Sequence, residues 1–244
     1  FSLLAIIRHD HFFSQGWDLG MYDQIIWQYS QGKLAFSGFT HMLDLADRFR
    51  PILLLVAPIY RIFPSVKTLL IIQAIVISLA ALPIYFLAIK IVRHKIFAIS
   101  ISIAYLFFSG VQYLNVDDFH EHAFLPLMLG GVFYFLHTKQ WLGYWFFYIG
   151  ALITREYVGF FLASIAIYSL FNKTPKKIVL TSFILGITWS SIVIFYVMPA
   201  LGQISYKGFL GQDAPLQHEL ISLITNPTFV IKHLTSPAIK LQTV

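Results

Sequence analysis

Two acidic side chains in a polar stretch between apolar segments are the first candidates for chemistry. Asp18 and Asp23 lie five residues apart in the stretch Trp17–Gln24, beside a glycine and two aromatic residues. A carboxylate in such a position can act as a general base. The structural alternative is that Asp18 caps a helix and Asp23 faces solvent.

A second candidate is the densest ionisable cluster in the chain. On a helix, Asp117, His120 and Glu121 would share one face, and Asp118 and His122 another. Carboxylates and imidazoles grouped in this way can bind a divalent cation such as Mg²⁺ or Mn²⁺, or act as acid and base. The alternative is a hydrated loop that caps a helix.

A third candidate is the charged pair Arg155 and Glu156, which interrupts a long apolar run. Charges between two half-helices would lie below the membrane surface, where such residues line a cavity or a ligand site. A guanidinium there can grip a lipid phosphate bidentately, and Arg48 and Arg50 could supplement it. The alternative is a mutual ion pair.

Composition places these residues in a membrane protein. Apolar residues make up 58% of the chain and charged residues 11%, against about 45–50% and about 25% in soluble domains. The formal charge of +6 lies in short loops between apolar runs, so we expect no nucleic-acid partner. The chain has no cysteine, which excludes disulfides and thiolate metal sites.

The apolar runs predict an all-α bundle of about seven membrane helices, some of them short, over residues 1–198. The predicted helices are 1–7, 66–92, 96–113, 123–137, 141–153, 157–171 and 178–198. Residues 8–65 form a first outer loop, in which 51–63 is partly inserted. The polar segment 199–244 is expected on the outer face, as the start of a larger C-terminal part.

The first outer loop should contain an amphipathic helix. Leu19, Tyr22, Ile26 and Tyr29 recur at helical spacing, and Asp18 is placed to start the helix. Such a helix would lie flat at the membrane surface.

Charge sorting predicts the orientation. One set of loops holds seven basic residues and no acid, and all eleven acidic residues fall on the other side. Under the positive-inside rule the acidic loops are outside, as expected for a multi-pass protein of the plasma membrane.

Four motifs carry a family resemblance. They are WDLGMYDQ at 17–24, DRFRPIL at 47–53, DFH at 118–120 and TREYVG at 154–159. Their order and spacing resemble the membrane family called domain of unknown function 2079. More distantly, the chain is similar to the GT-C glycosyltransferases, polytopic enzymes that take a sugar from a polyprenyl-phosphate carrier.

The resemblance implies glycosyl transfer from a polyprenyl-phosphate sugar at the outer membrane face. Asp18 would deprotonate or orient the acceptor hydroxyl, with Asp118 and His120 as further catalytic candidates. Asp117 and Glu121 would bind the cation. The substrate-binding candidates are Tyr22, Asp23, Arg48, Arg50, Arg155 and Glu156. Two rivals stay open: a transporter or lipid-binding membrane protein whose charges line a pathway, and a non-catalytic scaffold.

Overall fold

The computed structural model describes residues 1–14 and 16–202. The first part of the chain contains short elements: α1 (Ser2–Asp10), α2 (Gly16–Ser30), β1 (Phe36–Ser37), β2 (Met42–Leu43), α3 (Asp44–Asp47) and α4 (Leu53–Ile62). The two strands form an antiparallel hairpin in which Phe36 pairs with Leu43. The rest is helical: α5 (Val66–Leu79), α6 (Ala81–Val92), α7 (Lys95–Phe107), α8 (Ser109–Val116), α9 (Leu125–Thr138), α10 (Trp141–Leu152), α11 (Val158–Tyr168), α12 (Lys176–Ile192) and α13 (Met198–Ala200). The predicted all-α class is therefore confirmed.

Helix α2 has the predicted amphipathic face. Leu19, Tyr22, Ile26 and Tyr29 are all buried, and the helix packs against α4. Its start was predicted wrongly, because the helix begins at Gly16 and Asp18 lies within its first turn. A carboxylate there is stabilised by the positive end of the helix dipole.

Among residues 1–14 and 16–202, two helical segments are long and apolar enough to cross a membrane. They are Val66–Val92, which joins α5 and α6, and Lys176–Ala200, which joins α12 and α13 through a π-helical turn. Helices α7 and α8 add a third if they count as one span. The predicted span over 96–113 is thus divided, since the chain bends by 48° between α7 and α8.

The predicted break near Arg155 is confirmed. Helix α10 ends at Leu152 and α11 begins at Val158, so Arg155 and Glu156 lie in the connection between two short apolar helices. The predicted polar segment 199–244 lies outside the described residues from position 203 onward.

Helices α11 and α12 meet backbone to backbone. Gly159 and Gly186 face each other, and a Cβ atom on either would overlap the carbonyl oxygen of the other. Small residues at a helix crossing allow this approach, which membrane helices use for van der Waals packing.

Replacing Gly186 with alanine should destabilise the protein by about 1–3 kcal/mol, because the backbones must separate to admit the methyl group. Thermal unfolding in detergent measures the effect. The matched control is Gly20→Ala, where the new Cβ would lie 3.5 Å from Phe39 in ordinary contact and should stabilise α2 by up to ~1 kcal/mol. Equal unfolding temperatures for the two variants would contradict the tight crossing.

Candidate functional site

One polar cavity of about 300 Å³ brings together distant parts of the chain. It is lined by Trp17, Asp18, Met21, Tyr22, Thr40, Asp47, Arg48, Arg50, His120 and Arg155. These residues come from α2, the turn of the hairpin, the segment that follows the hairpin, and the connections before α9 and α11. Asp18, His120 and Arg155, three site residues proposed from the sequence, therefore line one cavity, whereas Asp117, Asp118, Glu121 and His122 do not.

Backbone contacts hold two of these segments together. The N–H of Ile52 donates to the carbonyl of Ile153 at 2.9 Å, and the N–H of Phe49 donates to Oε2 of Glu156 at 3.2 Å. The arginine-bearing segment before α4 is thus fixed against the connection that carries Arg155.

Glu121 does not line the cavity itself but links three residues that do. Its fully buried carboxylate accepts hydrogen bonds from Tyr22 and Arg155, and from Arg50 at 3.3 Å. Burial alone would raise the pKa of Glu121, but the two guanidinium groups outweigh burial and lower the pKa to about 2. Glu121 is therefore a charged anchor between three segments of the chain.

Arg50 is committed to internal partners. Its Nε and Nη2 donate to Oδ1 of Asp44 at 2.9 and 2.7 Å, and its Nη1 donates to the Tyr22 hydroxyl at 2.6 Å. Tyr29 donates to the other Asp44 oxygen at 2.8 Å. Arg50 and Asp44 are both buried, so Arg50 shapes the floor of the cavity.

The other two arginines differ in accessibility. Arg155 bonds to Glu121 and, at 3.2 Å, to Oε2 of Glu156, and only 12% of its side chain is exposed. Arg48 lies 3.3 Å from Oδ1 of Asp47 and has a side chain that is 40% exposed. Arg48 is thus the cation of the cavity most accessible to a ligand.

Several predicted site residues do not line the cavity. Asp23 accepts a hydrogen bond from Tyr60 at 2.5 Å, and the buried Asp118 accepts one from Arg8 at 3.0 Å. Asp117 follows the end of α8 and is half-buried.

The predicted helical face of Asp117, His120 and Glu121 is wrong. The backbone is extended at Asp117 and at His120, and Glu121 starts a short 3₁₀ turn that leads into α9. His120 therefore lines the cavity, whereas the buried Glu121 does not.

The predicted cation site lacks a matching set of ligands. Glu121 is already bonded to two guanidinium groups, and residues 1–14 and 16–202 contain no group of three or more carboxylate or imidazole side chains suited to a metal ion. Asp117 and Glu121 do not belong to such a group, and the bound cation stays a prediction.

Sequence reasoning gave no role to Thr40, Asp44 or Asp47. Asp47 precedes Arg48 in one of the four motifs, which could have marked it as a lining residue. Thr40 and Asp44 carried no such signal, because only the hairpin brings them to the site.

Comparison with known proteins identifies the family. A family model described as a predicted membrane protein, DUF2079, matches residues 8–244. Searches of curated proteins and of solved structures give no match. Since the match covers nearly the whole chain, the protein belongs to the DUF2079 family of predicted membrane proteins.

Proposed function

We propose that this protein is a GT-C-like membrane glycosyltransferase, which moves a sugar from a polyprenyl-phosphate carrier to an acceptor. The observation that carries the proposal is the polar cavity in an otherwise apolar helical protein. The carboxylate of Asp18, which has no partner among the described residues, lines this cavity together with three arginines.

Asp18 is the proposed base. It lines the cavity, is half-exposed, and makes no side-chain hydrogen bond or ion pair with any described residue. In the transfer step the carboxylate takes the proton of the acceptor hydroxyl, and the acceptor oxygen forms a bond to the anomeric carbon. The bond from that carbon to the carrier phosphate breaks, and the phosphate leaves with the electron pair. His120, on the cavity wall, is proposed to help orient the reacting groups.

Arg48 and Arg155 are proposed to meet the carrier phosphate. Arg48 is exposed enough to swing from Asp47 to a ligand, and Arg155 is held in place by two carboxylates. Neutralising the leaving phosphate is the kind of electrostatic assistance that lowers a transfer barrier.

Replacing Arg48 with alanine should raise the donor concentration needed for half-maximal transfer by about 10-fold or more, since a hydrogen bond to a charged group is worth about 1.5–3 kcal/mol. Steady-state transfer from a polyprenyl-phosphate hexose, with the donor varied in liposomes, measures this effect. Arg48→Lys should recover part of it, because a point charge still attracts phosphate. Absence of any transfer by the unaltered protein would remove the enzymatic proposal and favour a transporter, a lipid-binding protein or a scaffold.

The proposed topology has about seven membrane helices in the plasma membrane, with the acidic connections and the cavity at the outer face. Single cysteines at the exposed positions Gln31 and His94 test it, because they lie on opposite sides in this arrangement. An impermeant thiol reagent applied to intact cells should label the first and leave the second unlabelled. The reverse pattern would invert the orientation.

A further inference from the structure

The charges around the cavity restrict what its interior can recognise. Arg50 and Arg155 are matched by the carboxylates of Asp44, Glu121 and Glu156. Arg48, the remaining cation of the lining, already pairs with Asp47. The interior therefore has no surplus of positive charge, and a bare phosphate would be attracted mainly by Arg48, with Arg155 as the second contact.

The polar groups of the lining suit hydroxyl groups. Asp18 and Asp47 offer carboxylate oxygens that accept hydrogen bonds from O–H donors. Thr40 also lines the cavity, and its buried hydroxyl has no hydrogen-bond partner within residues 1–14 and 16–202. Since buried polar atoms are normally satisfied, a hydroxyl or water in the cavity is expected to complete this group.

An aromatic side chain completes the lining. Trp17 is 59% exposed, and its ring packs edge to face against Phe39 at 5.3 Å between centroids. A fixed indole offers a flat apolar surface to the C–H face of a ring at small entropic cost. The volume of about 300 Å³ is at the lower end for ligand pockets and allows one ring.

We infer that the cavity binds a single sugar ring, stacked on Trp17 and held through its hydroxyls by Asp47 and Thr40. This inference rests on the proposed function, because it assigns the sugar of the donor to this cavity. Trp17 and Asp47 are then specificity-determining residues, and the phosphate lies beside Arg48 and Arg155.

The test compares two probes by isothermal titration of the protein in nanodiscs. One is a polyprenyl phosphate carrying a single hexose, and the other is the same polyprenyl phosphate without sugar. The unaltered protein should bind the sugar-bearing lipid more tightly. Trp17→Ala should weaken binding of that lipid about 5- to 10-fold, as expected for the loss of one aromatic contact, and leave the sugar-free lipid unchanged.

Trp27→Ala is the matched control, because Trp27 lies on the same helix, is 47% exposed and does not line the cavity. It should alter binding of neither probe. Thr40→Val should act like Trp17→Ala, which separates ligand contacts from a general loss of folding. Equal affinity of the unaltered protein for both probes would overturn the inference, as would an equal loss for both in Trp17→Ala.

The two proposals fail separately. Tighter binding of the sugar-bearing lipid without any transfer would remove the glycosyltransferase and keep the sugar site. Transfer activity with no preference for the sugar-bearing lipid would keep the enzyme and remove the sugar site.

Discussion

Replacing Asp18 with asparagine is expected to lower the turnover of sugar transfer by about 10²–10⁴-fold, the usual worth of general acid or base catalysis. The amide is nearly isosteric with the carboxylate but cannot take the acceptor proton. Donor affinity should change little, because the proposed phosphate contacts come from Arg48 and Arg155. Steady-state kinetics with the donor varied separate the two effects.

Asp10→Asn is the matched control for this measurement. Asp10 is an exposed acidic residue at the end of α1, and it pairs with Lys67 away from the cavity. Its replacement should leave turnover unchanged. If Asp18→Asn retained full turnover, Asp18 would not be the base, and its position in the first turn of α2 would be explained by helix stability alone.

Replacing Glu121 with glutamine is expected to lower the free energy of unfolding by about 3–5 kcal/mol near neutral pH, the cost of removing one partner from a buried ion pair. Arg50 and Arg155 would each lose one of their two carboxylate partners, and would keep Asp44 and Glu156 respectively. Thermal or denaturant unfolding in detergent measures the change. The exposed pair of Asp10 and Lys67 is the control, and Asp10→Asn should have no measurable effect.

Acid should reduce the difference between Glu121→Gln and the unaltered protein. The pKa of Glu121 is about 2 in the folded chain and near 4.5 when unfolded, so its stabilising charge is fully present above pH 4.5. That contribution is lost as the pH falls from about 4.5 towards 2. A gap between the two proteins that stayed constant from pH 6 to pH 3 would show that Glu121 is not the charged anchor.

The short-range features of the site could be predicted from sequence. The spacing of Leu19, Tyr22 and Ile26 already determines the buried face of α2, because helical periodicity is a local property. The interruption at Arg155 and Glu156 likewise marks a connection, since charges inside an apolar run are costly unless the helix ends there.

The role of Glu121 could not be predicted in this way. Its neighbours in sequence suggested a helical metal cluster, whereas its actual partners, Tyr22, Arg50 and Arg155, lie 34 to 99 positions away. The backbone is extended at Asp117 and at His120, so the side chains of Asp117, His120 and Glu121 do not share a helical face. No local sequence pattern distinguishes that extended backbone from a continued helix. The ion pair between Arg50 and Asp44 could not be predicted from sequence either, because it depends on where the hairpin turns.

The close crossing at Gly159 and Gly186 bears on how the chain is assembled in the membrane. Helix α11 continues into a 3₁₀ turn, and together they form the apolar helix Val158–Asn172, whose 15 residues at about 1.5 Å each fall short of a hydrocarbon core some 30 Å thick. Its natural partner, α12, is synthesised later. We therefore expect α11 to settle only after α12 has emerged from the ribosome, so that the two enter as a hairpin. A nascent chain stopped before Lys176 should leave α11 accessible to protease, and a chain extended past Ala200 should protect it.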